Sequence, residues 1–220
     1  MKMLIGLGLV VWLVGSGVVW GYTTFDEAWK AAGLKESSQD YVGARMIYTD
    51  IYNNIAKSTH EKIKAQFNLA FTYVSEGNNL QARIEFKKII DYPVFETYYV
   101  GKAMIAIGQL NIAEKIPNIQ DFVNVIIDLR IFDEVKMDAF KNLILIKPDW
   151  STVVTAIGTP TDWSGYYYRA KAKQQLKDYA GAKADLLSAQ NLCGDNNDAF
   201  KKCGELLERI NLQIKQAANP

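Results

Sequence analysis

Phe67-Asn68-Leu69-Ala70-Phe71-Thr72-Tyr73, followed by Asn78-Asn79-Leu80-Gln81-Ala82 and then Phe86, is the stretch that decides the fold. Leu69, Ala70 and Tyr73 recur at spacings of three and four, which places them on one side of a helix. The two asparagines read as a turn. Ala82 and Phe86 lie four residues apart, so a second helix presents a small and a large side chain on one face. The small residue lets two helices approach closely and the large one fills the space beside it. Pro93 then ends the second helix. The unit is a helical hairpin.

The same pattern returns twice. Gln39-Asp40-Tyr41-Val42-Gly43-Ala44 is followed by Tyr48, and Lys177-Asp178-Tyr179-Ala180-Gly181-Ala182 by Leu186. An aromatic residue or leucine precedes each alanine by two positions, or by three where Gly43 or Gly181 intervenes. Matching first helices stand upstream, Ala28-Trp29-Lys30-Ala31-Ala32-Gly33 and Tyr166-Tyr167-Tyr168-Arg169-Ala170-Lys171-Ala172. In the first, Trp29 and Gly33 fit the pattern only if the turn carries an extra residue. Ala44 and Ala82 are 38 residues apart, and Ala82 and Ala182 are 100 apart, which leaves room for two degenerate hairpins between. These read as 98–113 with 121–129, where Phe122 and Ile126 take the alanine and aromatic places, and 133–146 with a short helix from Trp150. Gly158-Thr159-Pro160-Thr161 predicts a loop and a point of bending. The last segment, 198–216, reads as an amphipathic cap helix with Phe200, Leu206, Leu207, Ile210 and Ile214 on one face.

Hairpins of about 34 residues carrying Leu69, Ala70, Tyr73, Ala82, Phe86 and Pro93 resemble the tetratricopeptide repeat. The segment 163–193 is similar through Tyr166, Ala170, Ala182, Leu186 and Ala189, and 25–57 more weakly. The resemblance implies an all-α, right-handed superhelical solenoid of antiparallel helix pairs over 22–220, with about five repeats and a C-terminal cap helix. It also implies a groove, lined by the first helix of each repeat, that holds a protein or peptide partner. Carried over by position, that face is Lys30 in the first repeat and Lys64, Phe67, Asn68 and Phe71 in the second. In the fifth it is Tyr167, Tyr168, Lys171 and Gln174. A carboxylate-holding clamp of Lys and Asn side chains is the best-known groove chemistry of that family. Here Phe67 and Phe71 stand where that clamp wants Lys and Asn, so an apolar or amphipathic segment suits the groove better.

Charge and cysteine usage narrow the setting. The chain has 220 residues and a formal net charge of +1. Residues 1–21 carry only Lys2, so the remainder balances 24 basic against 24 acidic residues and has no general attraction for nucleic acid. Lys2 followed by an apolar run from Leu4 to Trp20, with Val19 and Gly21 before a cut after Gly21, reads as a secretory signal peptide. The run is also long enough to stay as a membrane anchor. No cysteine follows it directly, so a lipoprotein cut is excluded. Either way the rest of the chain is expected outside the cytosol, periplasmic or secreted, or anchored by residues 4–20. The two cysteines, Cys193 and Cys203, flank a turn-rich stretch, and antiparallel helices there predict a disulfide between them.

Catalytic patterns are missing from the sequence. It has no phosphate-binding glycine loop, zinc-binding histidine pair or nucleophile elbow. The single histidine, His60, follows Ser58-Thr59 and precedes Glu61, which reads as a capped helix start. The expectation is therefore a scaffold that recruits a protein partner, without enzyme activity, cofactor or metal. The alternatives are a structural subunit of a membrane-anchored envelope complex and, third, a glycan-acting helical enzyme. Homo-oligomerisation is open to all of them. N-terminal sequencing of the mature protein separates leader from anchor: a first residue of Tyr22 is expected, and an intact Met1 overturns the leader.

Overall fold

The computed structural model describes residues 12–14, 17–19, 21–93 and 96–218. The segment read as leader or anchor lies largely outside them. What is described of it is a short antiparallel pair, β1 (Trp12–Val14) and β2 (Gly17–Val19), with Trp12 opposite Val19 and Val14 opposite Gly17. From residue 21 onward the described residues are helical, with no strand. None of the described helices is long and apolar enough to cross a membrane. The chain divides into two compact units, Met1–Tyr99 and Val100–Pro220.

In the first unit, α1 (Phe25–Ser37) pairs with α2 (Tyr41–Asp50), which runs into a π-helical turn, Ile51–Ile55. There α3 (Thr59–Ser75) packs on α2 and pairs with α4 (Asn79–Ile90). Near the unit boundary starts α5 (Thr97–Ala113). The second unit continues with α6 (Ile119–Ile127), α7 (Asp133–Ile146) and α8 (Trp150–Ile157). It ends with α9 (Trp163–Gln175), α10 (Tyr179–Leu192) and α11 (Asn197–Ala218). Helices packed consecutively in this way are an all-α, repeat-compatible architecture.

One turn recurs in both units. After α1, Gln39 takes a left-handed conformation (φ 61°), its N–H bonds the Glu36 carbonyl, and the Asp40 N–H bonds the Lys35 carbonyl. Gly77 with Asn78 repeats this after α3, and Lys177 with Asp178 after α9. This is a Schellman ending. Its last residue is at once the N-cap of the next helix: Asp40, Asn78 and Asp178 accept from the N–H groups of Gly43, Gln81 and Gly181. Ala44, Ala82 and Ala182 each stand four residues beyond that cap, so no turn carries an extra residue. The fit expected for Trp29 and Gly33 is corrected accordingly. The small residue twelve before each of these alanines is Ala32, Ala70 or Ala170, all with zero exposure. Gly33 has open space where a Cβ would stand.

The degenerate α5–α6 hairpin obeys the same rule with sizes exchanged. Lys115 is the left-handed residue, and Ile116-Pro117 lengthen the turn by two before the Asn118 cap. Phe122 then occupies the alanine place, fully buried. A Cβ on Gly108 would lie 2.6 Å from its ring, so glycine on α5 makes room for phenylalanine on α6.

The loop at 158–162 is present, but it is tied down. The Arg169 guanidinium donates to the Gly158 carbonyl, and Asp162 caps α9 through the Gly165 N–H. Lys136, 2 % exposed, donates to Ser164 at 2.7 Å and lies 3.5 Å from Asp162. The face of α11 is also shifted from the one expected. Ala199, Cys203, Leu206 and Ile210 are buried, whereas Phe200 and Ile214 are exposed. The bridge expected between Cys193 and Cys203 is not formed. Both are free, buried thiols, and Cys193 donates to the Ala189 carbonyl. Burial pushes the Cys203 thiol up to about 12.

Gln39 and Lys177 hold a conformation that glycine adopts without strain. Gln39→Gly and Lys177→Gly are each expected to stabilise the protein by roughly 0.5–1 kcal/mol in urea denaturation, and Gly77→Val to destabilise it by about 1 kcal/mol or more. Loss of stability in both glycine variants would contradict the shared turn.

Candidate functional site

The residues expected on a partner-binding face lie on α1 and α3 in the first unit and on α9 in the second. On α3, Lys64, Phe67, Asn68 and Phe71 follow the three-and-four spacing of one helical face. Phe67 lies half-buried among Phe71 (ring centroids 5.0 Å), Phe86 (5.6 Å) and Tyr99 (5.4 Å). Phe71 keeps 36 % of its surface exposed, so it is the ring an incoming chain would meet. The Lys64 ammonium stands 4.2 Å from the Trp29 ring and 5.6 Å from Phe25, which itself stacks on Trp29. Asn68 spends its amide on the Lys64 carbonyl. Lys30 is exposed on α1 and has no ring contact or ion pair among the described residues.

On α9 the arrangement is denser. Tyr167 and Tyr168 are buried at 5 % and 0 %, so they are packing residues, contrary to the expectation that they face a partner. Tyr168 fits against Phe140, and its hydroxyl donates to the Asp133 carboxylate at 3.0 Å; Asp133 is also paired with Lys202 of α11. Gln174 donates to Gln213 of α11 at 2.9 Å.

Lys171 stands out. Its ammonium lies 4.6 Å from the Phe140 ring, 5.6 Å from Tyr167 and 5.7 Å from Tyr168, with the Met137 sulfur at 3.6 Å. No carboxylate among the described residues lies within ion-pair distance of it. Ring faces attract a cation, but they do not replace its lost hydration. Burial first, then the nearby Arg209 charge, lower its pKa to about 8; Asp133 pulls the other way, and Lys141 adds a lesser lowering. The ring and sulfur partners on α7 were not legible from the repeat pattern. Met137, Phe140 and Lys141 do share the three-and-four spacing of one face, and that was the available signal.

No protein-family model matches this chain, and no relative is found among curated proteins. The chemistry has to be argued from the side chains. Among the described residues no group of three or more His, Cys, Asp and Glu is placed to hold a metal. Lys136, Ser164 and Asp162 have the composition of an activated serine, but Ser164 is 3 % exposed and Lys136 2 %, which leaves no path for a substrate. His60 sits at the start of α3 beside a formed capping box of Ser58 and Glu61, 3.6 Å from Glu96 and against the Tyr99 ring.

The lowered pKa of Lys171 has a defined sign. Between about pH 8 and the ordinary lysine value of 10.5, the unfolded chain holds a proton that the folded chain has lost, so stability from this site rises with pH across that window. Well below pH 8 the full penalty of the half-buried charge is present. Lys171→Met is expected to raise unfolding free energy at pH 7 on the order of 2 kcal/mol, with the gain gone above pH 10.5. Urea titrations at both pH values check this; equal or lower stability at pH 7 contradicts it.

Proposed function

We propose that this chain is an exported, non-catalytic scaffold built from tetratricopeptide-like repeats, which recruits a protein partner through the first-helix faces of its hairpins. The identical turns after α1, α3 and α9 support the repeat reading, as do the buried small residues at matching places. The apolar run from Leu4 to Trp20 supports export. A partner segment that suits the α3 face is amphipathic, apolar against Phe71 and acidic against Lys64; the Lys171 cluster on α9 likewise favours an acidic group.

The observation that carries this reading is Lys171, held over three rings without a carboxylate partner. A half-buried ammonium left in that state lowers stability, which is a common property of binding sites. A carboxylate arriving from a partner would offset the penalty on binding, and the aromatic surroundings would strengthen that pair by excluding water. Lys64 over Trp29 offers a lesser version of the same chemistry.

Fluorescence polarisation with labelled amphipathic peptides tests the reading. Peptides with an acidic face are expected to bind, and their basic counterparts to bind much more weakly. Phe71→Ala and Lys171→Gln should each weaken binding about tenfold, with circular dichroism unchanged. Equal binding of acidic and basic peptides, or full binding in both variants, would sink it.

A further inference from the structure

The opposite face of α3 lines a cavity of about 400 Å3 that the partner-binding reading does not use. It lies between α2 with its π-helical turn on one side and α4 on the other, entirely within the first unit. Its volume falls within the roughly 300–1,000 Å3 of small-molecule sites. The π-helical turn bears on its shape. The Ala56 N–H reaches back to the Ile51 carbonyl, which widens the chain by one residue per turn and places Tyr52 and Asn53 in the cavity wall.

Three features define what could fit. Ile63, Leu69 and Ile89 give a small apolar floor. Tyr52, Tyr73 and Tyr92 supply aromatic walls. The remaining polar groups are held rigidly and are charge-compensated. Glu85, 5 % exposed, accepts from Gln66 at 2.6 Å, Gln81 at 2.7 Å and Lys88 at 2.6 Å. Arg45 forms a forked pair with Glu76 at 2.6 and 3.0 Å and lies 4.4 Å from the Tyr73 ring.

With each charge matched by a neighbour, neither an anion nor a cation finds an unpaired partner here. Arg45 and Lys88 still have N–H donors beyond those used in their pairs. Asn53 adds an exposed amide. The planar guanidinium of Arg45 and amide of Asn53 suit pairs of adjacent hydroxyls, and the electron-rich face of a tyrosine ring meets the C–H side of a sugar ring. We propose that this cavity binds a neutral sugar unit, either free or at the end of a glycan chain.

Isothermal titration and saturation-transfer NMR on the intact protein test this with N-acetylglucosamine, chitobiose, cellobiose and maltose as probes. Saturable binding of at least one is expected. Thr49→Trp, at the exposed lip of the cavity, should weaken it at least tenfold, whereas Phe71→Ala on the other face of α3 should leave it unchanged. Retention on insoluble chitin or cellulose, released by the free disaccharide, assigns the source to a polymer end; disaccharide binding without retention assigns a free sugar. Absence of saturable binding to all four probes at tens of millimolar overturns the proposal, as does binding undiminished by Thr49→Trp. The outcome is independent of peptide binding, so either reading can fail alone.

Discussion

The close approach of two helices over a pair of small side chains is the constraint on which the rest depends. Ala32 with Ala44, Ala70 with Ala82, and Ala170 with Ala182 are buried without residual exposure. Larger residues there would force helices apart, and close-packed interiors do not absorb such changes cheaply. Tyr48, Phe86 and Leu186, one turn further on, fill the space that the approach leaves, again fully buried or nearly so. The α5–α6 hairpin shows that the rule concerns the sum of sizes and not alanine as such, since Gly108 and Phe122 meet it together.

This geometry decides what α3 can display. One face, Ile63, Gln66, Leu69 and Tyr73, turns toward α2 and α4; the other, Lys64, Phe67, Asn68 and Phe71, is left for what comes from outside. Buried carboxylates hold the hairpins at a second level. Glu85 on α4 gathers two glutamines and a lysine, and Asp185 on α10 gathers Arg169 and Lys173. Both stand seven residues past their helix caps, Asn78 and Asp178. Such groups are stabilising only while every partner remains, because a lone buried carboxylate is strongly penalised.

Much of this was legible in the sequence. Helix positions and the alanine–aromatic pairs follow from spacing alone, because amphipathic periodicity is a local property. The turn alignment was not, because Tyr41 and Leu80 look alike as large apolar residues, whereas the structure equates Leu80 with Val42. Nothing in a glutamine or lysine announces a left-handed backbone, so Gln39 and Lys177 gave no signal. The face carried over to α9 gave no sign of where its tyrosines point. Lys171 is at the heart of a cluster, but Tyr167 and Tyr168 turn inward, since consecutive residues on a helix diverge by about 100° and neighbouring helices claim both. The cavity was invisible for a different reason: a π-helical turn has no composition of its own.

Sharing a single residue between the end of one helix and the start of the next leaves these hairpins no slack. One added residue would rotate the second helix by about 100° and shift it by about 1.5 Å, carrying the alanine out of its slot. Lengthening is therefore tolerable only when side chains on both helices change in concert, as Ile116-Pro117 coincide with the exchange at Gly108 and Phe122. A chain of this design is extended most simply by a whole hairpin, because an entire unit brings both of its matched small residues with it.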